Sequence, residues 1–125
     1  PTGFAQWLAA YQLASEPIDA ALVSAADKLH NARAILSDYR VIGDELWSRF
    51  NSDAGLGGSL WYYTRLTEIL TERLTGSPGA ALAAELERTV EGITARAMEL
   101  SHPVDEYLAE ARTREAEIRA ATRTD

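Results

Sequence analysis

Apolar residues recur at steps of three and four along most of the chain, a spacing that predicts amphipathic helices. The longest such run begins at Ile18 and ends near Tyr39. Its repeating apolar positions are Ile18, Leu22, Ala25, Leu29, Ala32 and Leu36. The other side carries few polar residues, and a helix that is apolar around most of its circumference is usually packed on several sides. We therefore predict a central, buried helix over 18–39.

The same spacing predicts shorter helices in the rest of the chain. They cover 3–14, 44–50, 60–74, 80–100 and 104–120. Breaks rich in glycine or proline separate them. No strand-like alternation and no repeat of fixed period interrupts this pattern, so the predicted fold is an all-α bundle of about five to six helices. We assign 1–100 to a helical domain and 101–125 to a charged C-terminal helix with a frayed tail.

Composition narrows the class of protein. A chain of 125 residues suffices for one domain with a core, and the absence of cysteine excludes disulfides and thiolate sites. No stretch approaches the roughly 20 apolar residues that span a bilayer, and because the first residues carry no basic segment we expect no secretory signal. The net charge of −7 gives no basic face for duplex nucleic acid. We expect a cytoplasmic protein that binds neither membranes nor duplex nucleic acid.

Asp27 is the candidate functional residue of the predicted central helix. A buried, isolated carboxylate is costly, so it should be paired, protonated or bound to a cation. Asn31 follows four residues later and shares its face, which would place an amide beside that cation. The alternative is an internal ion pair between Asp27 and an arginine of a neighbouring helix.

The residues around Asp27 resemble a known motif. The segment Ser-Ala-Ala-Asp-Lys-Leu-His-Asn-Ala-Arg over 24–33 is similar to the Ala-Asp-Lys/Arg-Leu-His-Asn motif of HD-superfamily phosphohydrolases. The similarity is closest to the branch that includes the guanosine tetraphosphate (alarmone) hydrolases. It continues through 44–51 and the Leu-Trp-Tyr-Tyr block at 60–63, and covers roughly residues 11–75. The resemblance implies an HD-like bundle that lacks the N-terminal helices of the family.

The resemblance also implies an activity and a cofactor. Family members hold a divalent metal, commonly Mn²⁺, with a His, a His-Asp pair and a later Asp that Asp27 matches. Asn31 matches a residue that contacts the ribose side of the nucleotide, and Lys28, His30 and Arg33 become candidate substrate contacts. The metal polarises a phosphate oxygen and activates water. The implied function is hydrolysis of a nucleotide polyphosphate such as guanosine tetraphosphate.

One half of the expected metal site is missing. Only 26 residues precede Asp27, and no histidine is among them. The two histidines are His30, inside the motif, and His102, which we interpret as a helix-terminal residue. One carboxylate without imidazoles cannot form the expected site. Two hypotheses follow: a missing N-terminal half, a partner chain or a second copy completes the enzyme, or the chain is a non-catalytic helical module for interaction or ligand binding.

Three further features each allow two interpretations. The glycine-rich segment 53–59 precedes a helix and could bind phosphate, although a flexible connection fits it better. Trp61, Tyr62 and Tyr63 could stack on a purine base or belong to the core. The acidic last helix predicts a solvated face, and its thin apolar seam could instead be a dimer contact.

Overall fold

The chain folds into α-helices joined by short connections. The computed structural model describes residue 12 and the ranges 15–49 and 55–122, and these contain five helices. In chain order they are α1 (Ile18–Ile42), α2 (Glu45–Ser48), α3 (Gly55–Leu74), α4 (Ala80–Glu99) and α5 (Val104–Thr122). These ranges contain no strand, which confirms the all-α class. The helix predicted over 3–14 lies outside them, apart from residue 12.

The start of α3 differs from its prediction. The segment 53–59 was expected to be a connection, yet the helix begins at Gly55. Leu56 is 7% exposed and Leu60 is 1% exposed, one helical turn apart. Their burial offsets the cost of about 1 kcal/mol that each glycine imposes on a helix. The prediction of a loop through 55–59 is therefore wrong.

The core lies where α1, α3 and α4 meet. α4 packs against both α1 and α3, and α5 lies mainly on α3. A Cβ added at Gly92 of α4 would lie 2.9 Å from Leu36 Cδ2 of α1, so glycine permits the close approach of these helices. The largest fully buried side chains are Tyr39, Leu60, Leu66, Leu70, Leu74 and Leu86. Among the described helices, none has both the length and the apolar character needed to cross a membrane.

Only one face of α1 is buried. Ala21, Ala25, Leu29 and Ala32 contact the core, whereas Val23 is 71% exposed and Val41 is 80% exposed. The prediction of a helix packed on several sides is therefore wrong for the described residues. We call the uncovered side the outer face of α1. Its exposed members include Val23, Ala26, Asp27, His30, Ala34 and Val41.

Candidate functional site

Asp27 lies on the outer face of α1, where its side chain is 63% exposed. The Lys28 Nζ atom is 3.7 Å from Asp27 Oδ2, and an ion pair this exposed contributes little to stability. The sequence prediction of a buried carboxylate is wrong, because Asp27 shares the uncovered face with Val23. The alternative is also wrong, since the partner is the adjacent lysine and not an arginine of another helix.

The helix that carries Asp27 meets the aromatic block of α3. The Lys28 Nζ atom lies 5.8 Å from the centroid of the Tyr62 ring, a cation–π distance. Tyr62 and Tyr63 form an edge-to-face pair with centroids 5.3 Å apart. Both rings are half-buried and pack against the core, so they serve partly as core residues and partly as surface. We call Asp27, Lys28, Tyr62 and Tyr63 the motif patch.

The other candidate residues of the motif are placed differently. His30 is exposed on the outer face, and Asn31 is half-buried. Arg33 points to α4, where its guanidinium forms an ion pair with Glu85 at 2.5 Å. The fold thus brings Asp27 and Lys28 to the tyrosines, while Arg33 is engaged in a contact between helices.

The donor set around Asp27 does not fit a metal ion by itself. Within residues 15–49 and 55–122, no group of three or more His, Asp or Glu side chains could hold one. Protein sites for catalytic divalent metals of this type normally supply about three side-chain ligands. Among the described residues, the Asp27 carboxylate is therefore not joined by the further side chains that such a site would need.

His102 takes part in a network that the sequence did not reveal. Its Nε2 lies 2.9 Å from both carboxylate oxygens of Asp44, and its Nδ1 lies 3.0 Å from the Tyr107 hydroxyl. The Tyr39 hydroxyl donates to Asp44 Oδ1 at 3.0 Å. His102 does precede α5, but it also joins the α4–α5 connection to the turn after α1. Both ring nitrogens are thus engaged in contacts within the fold.

Two tyrosines in these clusters have raised pKa values. Burial raises the pKa of Tyr39 to about 12, and the Asp44 carboxylate adds to the rise while a hydrogen bond with Trp47 opposes it. Burial also raises the pKa of Tyr63 to about 12, with smaller contributions from Tyr62 and from Asp27. The Asp27 carboxylate thus acts electrostatically on Tyr63 across the motif patch.

In an alkaline titration we expect the side chains of Tyr39 and Tyr63 to ionise at higher pH than an ordinary tyrosine does. Their pKa in the folded chain, about 12, exceeds the ordinary 10.0, so the protonated form is favoured by folding. This stabilisation is complete below pH 10 and is lost as the pH rises towards 12. Near-ultraviolet absorbance should show part of the tyrosinate signal appearing late, and Tyr39→Phe should remove part of that late step. A single step near pH 10, with the helical circular dichroism intact, would contradict it.

Comparisons of the chain with protein-family models, with curated proteins and with solved structures find no significant match. The residues of the motif and their surroundings in the fold are therefore the features that bear on function.

Proposed function

We propose that the chain is the carboxylate-bearing part of an HD-type phosphohydrolase that acts on a nucleotide polyphosphate. In this proposal Asp27 is one ligand of a divalent metal site. A second polypeptide segment covers the outer face of α1 and supplies the remaining ligands. When bound, such a metal would polarise a phosphate oxygen.

The placement of Asp27 is the single observation that carries the proposal. Its carboxylate stands among exposed apolar residues of one helix face, with Val23 one turn before it and Ala34 two turns after it. Exposed apolar patches mark surfaces that bind another chain, and we infer that another segment covers this face. Covering this face would desolvate the Asp27 carboxylate, and the ion pair with Lys28 alone would not offset the free-energy cost of that desolvation. Donors on the covering segment and a shared cation would remove that cost.

The motif patch supports a nucleotide polyphosphate as the substrate class. Lys28 holds its ammonium group over the half-buried ring of Tyr62, so a phosphate and a flat base could be bound at neighbouring points. Asn31 follows Asp27 by one turn and is half-buried, in reach of a ligand hydroxyl on that side. Arg33 is not needed here because Glu85 already engages it.

The second candidate function is a non-catalytic helical module for interaction or ligand binding. The placement of the two histidines favours this candidate. His102 is engaged in contacts with Asp44 and Tyr107, so His30 is the histidine that lies on the outer face. Under this hypothesis the outer face still binds a partner, but no metal site forms and no phosphate is released.

The two candidates separate in an experiment on the native assembly. The tagged chain is expressed in its source cells, purified with whatever binds it, and assayed for Mn²⁺ content and for phosphate or pyrophosphate release from guanosine tetraphosphate. We expect Asp27→Ala to lose both the bound Mn²⁺ and the release. The matched control is Asp105→Ala, an exposed aspartate on α5 and not on the outer face of α1, which should retain both. Equal Mn²⁺ content in the wild type and in Asp27→Ala, with no release in either, would overturn the hydrolase and leave the module.

A further inference from the structure

A cavity of about 240 Å³ opens between α3 and α5, away from the motif residues of α1. Residues that line it include Trp61 and Arg65 from α3 and Arg112, Glu115 and Arg119 from α5. Pockets for drug-sized ligands usually measure about 300–1,000 Å³, so this one suits a smaller molecule. Its lining combines an aromatic ring with several charges.

Glu115 fixes one wall of this cavity. Its side chain is buried, at 8% exposure, so the solvated face predicted for the last helix is wrong at Glu115, whereas Glu106, Glu110 and Glu117 are exposed as predicted. One carboxylate oxygen accepts a hydrogen bond from Trp61 Nε1 at 3.2 Å, and the other accepts one from Arg65 Nε at 3.1 Å. Arg65 also pairs with Glu68 at 3.1 Å. These bonds hold the indole and one guanidinium in defined positions.

The charged side chains that line the cavity have a formal excess of positive charge. Three arginines and two glutamates line it, an excess of one positive charge in a chain whose net charge is −7. Arg112 and Arg119 are seven residues apart and therefore lie on the same side of α5. Guanidinium groups bind phosphate with two parallel hydrogen bonds, which is stronger and more directional than binding by lysine.

We propose that this cavity binds a small organic anion in which a phosphate is attached to a flat aromatic ring. The phosphate lies against the guanidiniums of Arg112 and Arg119. The ring lies against Trp61 and the apolar side chains of Leu108 and Ala116, which also line the cavity. The Glu115 carboxylate also lines the cavity, and its hydrogen bonds with Trp61 and Arg65 offset part of its repulsion of the phosphate. This site shares no residue with the motif patch and does not depend on the proposed hydrolase.

Phenyl phosphate is the probe that tests the proposal. In a two-dimensional NMR titration of the full chain, we expect the indole N–H signal of Trp61 to shift while that of Trp47 stays in place. The double variant Arg112→Ala/Arg119→Ala should weaken binding by about tenfold or more, since it removes charge-assisted hydrogen bonds to the phosphate. The matched control is Arg114→Ala on the same helix. Arg114 is exposed, pairs with Glu110 at 3.7 Å and does not line the cavity.

Three outcomes would overturn the proposal. The first is an unchanged Trp61 signal at saturating phenyl phosphate. The second is an equal loss of affinity in Arg114→Ala, which would indicate general attraction to positive charge. The third is inorganic phosphate binding as tightly as phenyl phosphate, because the aromatic wall would then contribute nothing.

Discussion

Replacing Tyr39 with alanine is expected to lower the free energy of unfolding by about 3–5 kcal/mol, the range for truncating a large buried aromatic side chain. The Tyr39 side chain is fully buried at 0% exposure and packs edge-to-face on Trp47, with ring centroids 5.0 Å apart. Its hydroxyl also holds Asp44, the residue that His102 contacts. Truncation would therefore open a cavity and weaken the link between the end of α1 and the start of α5. Urea unfolding followed by circular dichroism gives the measurement.

Two variants separate the ring from the hydroxyl and from nonspecific effects. Tyr39→Phe keeps the ring and loses the hydrogen bond, and we expect it to cost about 1 kcal/mol. Val41→Ala changes an 80% exposed residue of the same helix and should stay within about 0.5 kcal/mol of the wild type. A loss below about 1 kcal/mol for Tyr39→Ala would show that the ring does not support the core as the structure places it.

Helix positions could be predicted from the sequence because their signal is local. The apolar spacing in 18–39 and 80–100 shows which residues share one side of a helix. The ends of α1 and α4 agree with the predicted ranges within a few residues. The start of α3 could not be predicted in the same way. Glycine is a poor helix former, and only contact with the rest of the fold, through Leu56, makes that turn helical.

Burial around α1 was mispredicted for a related reason. The sequence shows that Val23 and Val41 are apolar, but whether an apolar residue is buried depends on a partner elsewhere. The described residues offer no such partner, so these side chains and Asp27 face outward. Because Asp27 is exposed in the described fold, it would need a cation only when a second polypeptide segment covers this face.

The candidate site was only partly visible in the sequence. The motif and the aromatic block could both be recognised, and the fold brings them together through Lys28 and Tyr62. The contacts of His102 with Asp44 and of Glu115 with Trp61 could not be predicted. They join residues 58 and 54 positions apart, and helical periodicity says nothing about such pairs. Glu115 in particular looks like any other acidic residue of α5 until its burial is known.

Glu115→Ala is expected to lower the free energy of unfolding by about 2–4 kcal/mol, because it removes a buried acceptor from two donors at once. The Trp61 indole N–H would lose its partner in a buried position, and Arg65 would lose its bond to Glu115 while its bond to Glu68 remains. Because α5 packs mainly on α3, we expect α5 of the Glu115→Ala variant to exchange its amide hydrogens faster than the core between α1 and α4 does. Glu117→Ala, an exposed neighbour on α5, is the matched control and should stay within about 0.5 kcal/mol. Equal stability of the two variants would mean that the Glu115 contacts do not hold α5 in place.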